Sequence, residues 1–133
     1  MKKITLLIIL TLLSNKIFAS AEDTISNIDY KLLLLKTSNK LGKLENEEDK
    51  IKQQLKDDKS LNMDKIVCKF KAITVEKIET VNLLMNSEDF KKDKKIENGR
   101  ILLEKSKAEW ETAINKVNAV YQGKLDEVCK ELE

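Results

Sequence analysis

Two cysteines, Cys68 and Cys129, and a set of closely spaced lysines are the residues here whose types could do chemistry. Paired thiols sent to an oxidising compartment persist as cystine, so a Cys68–Cys129 disulfide is expected. Closing a loop of about sixty residues stabilises a small domain by roughly 4 kcal/mol on the chain-entropy model. The lysines are Lys69 and Lys71, on either side of Phe70, and the run Lys91-Lys92-Asp93-Lys94-Lys95, the densest basic cluster. Clustered ammonium groups suit a polyanion, because lysine acts as a point charge without bidentate geometry. Asp89, Asp93 and Glu97 dilute the second cluster.

The 133 residues contain no histidine, which removes the commonest general base and the commonest metal ligand. Three isolated glycines make no phosphate-binding loop. Glu47-Glu48 and Asp57-Asp58 have the type for acid-base work, but on charge-rich helices such pairs read as solvated faces. No enzymatic activity, cofactor or metal site is expected.

The elements that position these residues begin after a leader. Lys2 and Lys3, an apolar run over residues 4–13 and the small-residue exit Ala19-Ser20-Ala21 have the layout of a cleaved secretory signal. Ten apolar residues are about half of what crosses a bilayer. Cleavage after Ala19 or after Ala21 both fit, and neither site is followed by a cysteine for a lipid anchor. The expected division is therefore 1–21 signal peptide and 22–133 one helical domain, exported to the periplasm, outer surface or medium.

Removing the signal leaves 22 basic and 23 acidic residues, a net charge of −1 that gives no electrostatic case for nucleic acid. The 24 lysines against one arginine, with frequent Ile and Asn, point to an AT-rich bacterial genome.

No proline and abundant Leu, Ile, Lys and Glu favour helix throughout. In the first segment, about 23–57, Ile25, Ile28, Leu32 and Leu35 precede Leu41, Leu44, Ile51 and Leu55, the latter at coiled-coil-like spacing broken where Glu48 takes an apolar position. Gly42 marks an expected bend or break. Over 63–86 there are two apolar faces, one with Ile66, Phe70, Ile73, Val81 and Leu84, the other with Cys68, Ala72, Val75 and Ile78. A helix apolar on two sides is covered on two sides, so it is expected to be central, preceded by a cap at Ser60 or Asn62.

Near the end, Trp110, Ile114, Val117, Tyr121, Leu125, Val128 and Leu132 succeed one another at steps of 4, 3, 4, 4, 3 and 4, one face of a helix running to the last residue. Trp110 and Tyr121 are accordingly core residues before they are interface anchors. Gly123 lies within that stripe, as a local weakening or a close helix approach.

The expected fold is all-α, an antiparallel up-down-up three-helix bundle closed by one disulfide. From Cys68 to Asn86 is roughly 27 Å of helix and from Gly99 to Cys129 roughly 45 Å. The cysteines meet if residues 87–97 continue helically and the chain turns at Asn98-Gly99, a helix-ending pair.

Lys69-Phe70-Lys71-Ala72-Ile73-Thr74-Val75 resembles a Lys-x-Arg-Ala-x-Thr-Val stretch of the decorin-binding proteins of Lyme-disease spirochaetes, helical surface adhesins that bind glycosaminoglycan. Ile28-Asp29 and the helix over 102–117 are loosely similar too. The resemblance places Lys69 at a glycosaminoglycan-contacting lysine of that family. The family's lipid-anchor cysteine and last-helix lysines have no counterpart, and the cysteine pair is an addition.

The resulting expectation is a secreted or surface-associated bacterial interaction protein, an adhesin or antigen meeting host molecules through a protein or glycosaminoglycan partner. A periplasmic structural or chaperone-like helical protein is the alternative. Oligomeric state is not encoded in these patterns.

Overall fold

The computed structural model describes residues 28–133; the segment 1–21 expected to be a signal peptide, with Lys2, Lys3 and Lys16, and also Ile25 lie outside the described residues. Among the described residues the protein is all-helical with no strand: α1 Ile28–Asp57, α2 Met63–Met85, α3 Glu88–Lys92, a 3-10 turn Lys94–Ile96, α4 Glu97–Val120 and α5 Leu125–Glu131. No described helix is long and apolar enough to cross a membrane.

α1 runs unbroken through Gly42, with Asp29 in its first turn and Lys56 in its last, charges that complement the helix dipole. This corrects the expected bend and, with it, the buried face. A straight helix keeps one phase, so the spacing of Leu41, Leu44, Glu48, Ile51 and Leu55 carries back to Leu34 and Thr37. Leu34, Thr37, Leu41, Leu44 and Ile51 are the buried residues of α1, while Ile28, Leu32 and Leu35 are exposed.

Asp58 receives the Ser60 amide and hydroxyl in the turn after α1. Asn62 then caps α2, accepting from the amides of Asp64 and Lys65, which fills the orphan donors of a helix start.

α2 is central, packed by α1, α4 and α5. One core cluster draws Leu34 and Leu41 from α1, Val81 and Leu84 from α2, and Phe90, Ile96, Leu103 and Trp110 from the chain beyond α2. A second joins only Leu44 and Ile51 to Ile66 and Ile73, flanked by Leu55, Leu61 and Phe70. α4 therefore shares the core at one end of α2 and stands apart from α1 at the other, which leaves room for a groove.

The turn expected at Asn98-Gly99 lies elsewhere. α2 stops at Asn86, and both Asn98 and Gly99 belong to the first turn of α4. Apolar burial reverses the chain: Phe90 and Ile96 are buried and fold residues 87–96 back on the core. Arg100, the single arginine, donates to the carbonyls of Phe90 (2.6 Å), Asp93 (2.9 Å) and Lys91 (3.3 Å). The Asp93 carboxylate accepts from the Tyr30 hydroxyl at 2.8 Å and ties the start of α1 to this connection. Burial, and then that hydrogen bond, push the Tyr30 phenol well above its usual range.

The continuous final helix is also corrected. α4 ends at Val120 in a Schellman motif, with the Gly123 amide bonded to the Asn118 carbonyl (2.9 Å) and the Gln122 amide to that of Ala119 (3.0 Å). Both turn residues have positive φ, 55° at Gln122 and 79° at Gly123. The break lets the cysteines meet. Tyr121 reaches Asp64, so a straight α4 would carry Cys129 roughly 12 Å further, past the start of α2. Instead the chain steps back, and α5 brings Cys129 to Cys68, with Cα atoms 5.5 Å apart.

Candidate functional site

Two charges interrupt apolar stripes on facing helices. Glu48 breaks the spacing of α1, and Lys77 sits between Ile73 and Val81, four residues from each, on the core face of α2. They meet. The Lys77 ammonium, 3% exposed, donates to Glu45 at 2.9 Å and also to Glu48, and lies 5.4 Å from the centre of the Trp110 ring on α4. Lys52 reaches the other Glu48 oxygen at 3.2 Å. Two carboxylates thus balance two ammonium groups, and the aromatic face adds a cation–π contact. Burial pushes the Glu48 carboxyl up, but the hydrogen bond and charge of Lys77, with Lys52 adding, outweigh it and hold the group below its ordinary value.

From this cluster a groove of about 270 Å³ runs along α2 toward α5. Phe70 and Thr74 lie on its floor, Ile114 and Val117 on the α4 wall, and Leu125, fully buried, closes the far end. Lys71 stands there in an ion pair with Asp126 of α5, whose side chain is 76% exposed. Groove and charge cluster together have the character of a ligand site, mostly apolar with a few fixed polar groups.

The lysines singled out from the sequence fall into two groups. Lys69 and Lys71 line one shallow hollow beside the Cys68–Cys129 bridge, joined there by Lys65 and by the acid Glu133. Lys91 and Lys92 end α3, and Lys94 and Lys95 form the 3-10 turn; all four are exposed, and Lys91 pairs with Glu88 at 3.5 Å. From Lys69 to the end of α2 at Met85 is roughly 24 Å of helix axis, and the second group follows beyond that end. Trp110 is buried in the core, whereas Tyr121 is half-buried and donates to the Asp64 carboxylate at 2.6 Å. That bond raises the Tyr121 phenol above its usual value. Among the described residues no group of three or more His, Cys, Asp or Glu is placed to hold a metal ion.

No protein family, no curated protein and no solved structure matches this chain. The reading of function therefore rests on its own residues. Sequence reasoning missed Lys77 and Glu45, although the signal was present: opposite charges interrupting two apolar stripes at positions that pair. Lys65 was missed as well, and its spacing of four from Lys69 was the available cue.

Proposed function

We propose that this chain is an exported, disulfide-braced interaction protein of a bacterial surface or periplasm, acting as an adhesin or antigen toward host molecules and not as an enzyme. The observation that carries this is the hollow beside the bridge, where one stretch of α2 presents Lys65, Lys69 and Lys71 around Cys68. α1, α2 and α4 are taken as an up-down-up bundle that presents this hollow at one end and Lys91, Lys92, Lys94 and Lys95 at the other. Two basic points at opposite ends suit a long sulfated chain better than a small anion, in keeping with the glycosaminoglycan ligand that the decorin-binding resemblance implies. Exposed lysines are screened within about 8 Å at physiological ionic strength, so attachment is weak and salt-dependent.

The test is a heparin column loaded with the protein exported by an expression host. Retention at low salt is expected. The eluting salt concentration should fall for Lys69→Ala with Lys71→Ala, and separately when Lys91, Lys92, Lys94 and Lys95 are neutralised. Elution in the flow-through overturns the glycosaminoglycan ligand.

A second reading, a periplasmic structural or chaperone-like protein, draws on the exposed apolar stripe Ile28, Leu32 and Leu35, since uncovered apolar surface marks contact sites. Protease treatment of intact cells separates the two, because a surface adhesin is degraded and a periplasmic protein is not.

A further inference from the structure

We propose that the groove over α2 binds the free carboxylate form of a medium-chain fatty acid, with the alkyl tail against Phe70, Ile114 and Val117 and the headgroup at Lys71. The groove is long and narrow. Its lining on α2 spans Val67 to Lys77, roughly 15 Å of helix axis. Its volume of about 270 Å³ is nearly twice the roughly 150 Å³ that accepts benzene, so it takes one alkyl chain of about ten carbons. A second chain does not fit, which sets a bilayer lipid aside in favour of a single-chain amphiphile.

Charge places the headgroup. At the Trp110 end, Lys77 is already held by Glu45 and Glu48, and Lys52 also leans on Glu48. An added anion there meets two carboxylates and an added cation meets two ammonium groups, so neither gains. At the Leu125 end the groove cation is Lys71, 24% exposed, and its partner Asp126 is 76% exposed. A carboxylate in the groove can take the place of Asp126, which returns to water at little cost because it is already mostly hydrated. The tail then runs inward from Lys71 over apolar side chains and stops at Trp110.

Lys71 belongs also to the polyanion hollow, but the tail residues do not, so the two sites respond differently to substitution. Trp110 is the sole tryptophan and lines the groove, which gives a direct signal.

The oxidised full chain is titrated with decanoate below its micelle-forming concentration while Trp110 emission is followed, with calorimetry as a second readout. Saturable binding of decanoate is expected, with none for butyrate and clearly weaker binding of decyltrimethylammonium. Lys71→Met should weaken decanoate about tenfold, the loss of one charge-assisted contact, whereas Lys69→Ala should leave it unchanged. Val117→Phe, which puts a ring in the tail channel, should abolish saturation while helical circular dichroism is retained. The headgroup comparison needs only the unmodified protein and stands even if that variant fails to fold. Absence of saturation with decanoate, or binding of the cationic amphiphile as tight as that of the carboxylate, overturns the proposal.

Discussion

Replacing Lys77 by methionine tests the central charge cluster most directly, because it removes the ammonium and keeps the chain length. In the native protein that ammonium is 3% exposed and faces Glu45 and Glu48, whose side chains are 13% and 17% exposed. Without it two largely buried carboxylates face one another, with Lys52 the remaining cation on Glu48. Removing one partner of a buried ion pair costs about 3 to 5 kcal/mol; residual exposure of the two acids argues for the lower end, about 3 kcal/mol. For a domain of this size that corresponds to a fall in Tm on the order of 15 °C. Urea and thermal unfolding of the oxidised protein, followed by helical circular dichroism, measure both. The pH dependence adds a second arm. Glu48 sits below its ordinary value, so its contribution is present above the usual carboxylate range of about 4 and is lost as pH falls through the lower folded value. Wild type should therefore weaken on acidification. The variant has lost the ammonium that holds Glu48 down, and protonation relieves its carboxylate repulsion, so the stability gap should narrow toward pH 3. Adding Glu45→Gln and Glu48→Leu to Lys77→Met should recover most of the loss, since well-packed apolar replacements of buried ion groups are often neutral or better. A Lys77→Met variant within about 0.5 kcal/mol of wild type, the range of ordinary surface changes, would refute the reasoning.

Changing both Cys68 and Cys129 to serine opens a loop with a sequence separation of 61, and the chain-entropy model gives a loss of roughly 4 kcal/mol, read as a lower urea midpoint. Gln122→Gly removes a side chain from φ 55° and should raise stability by about 0.5 to 1 kcal/mol; a lower Tm counts against the Schellman assignment. Arg100→Ala leaves the carbonyls of Phe90 and Asp93 without their guanidinium donor and should cost about 1 to 3 kcal/mol. Arg100→Lys should recover part of it, because a single nitrogen, Nη2, makes all of these bonds and an ammonium also carries three donors; no recovery would show that the reach of the guanidinium matters there.

Helix content, the central place of α2, the Asn62 cap and the cysteine pairing were legible in the sequence, because each derives from spacing or composition. The phase of α1 was not. Four consecutive leucines at positions 32–35 fit more than one face, and the choice depended on whether Gly42 bends the helix. Nor was the reversal after α2, since Gly99 carries the local turn signal whereas burial of Phe90 and Ile96 makes the turn. Helix lengths alone place that turn at Asn98-Gly99 only if the last helix is unbroken. Of the two left-handed residues of the break, Gln122 is a type that gives no such warning, while Gly123 reads only as a weakening or a close approach within the stripe. For the candidate site, the individual charges were visible, whereas the groove depends on how far α4 stands from α1, which no local pattern encodes.

The step back after α4 has a consequence for where this chain tolerates added sequence. Residues 122–124 form an exposed turn near the C-terminus, the kind of place where insertions are usually accepted. Here α5 has its position fixed by a covalent bond seven residues after Gln122. One residue added within α5, between Leu125 and Cys129, rotates the thiol by about 100° and moves it 1.5 Å along the axis, away from Cys68. The same residue added in the turn distorts the two amide bonds that end α4. A label or epitope is better placed at Lys59, in the exposed link between α1 and α2, where an insertion loses only the Ser60 bonds to Asp58 and leaves the Asn62 cap of α2 in place.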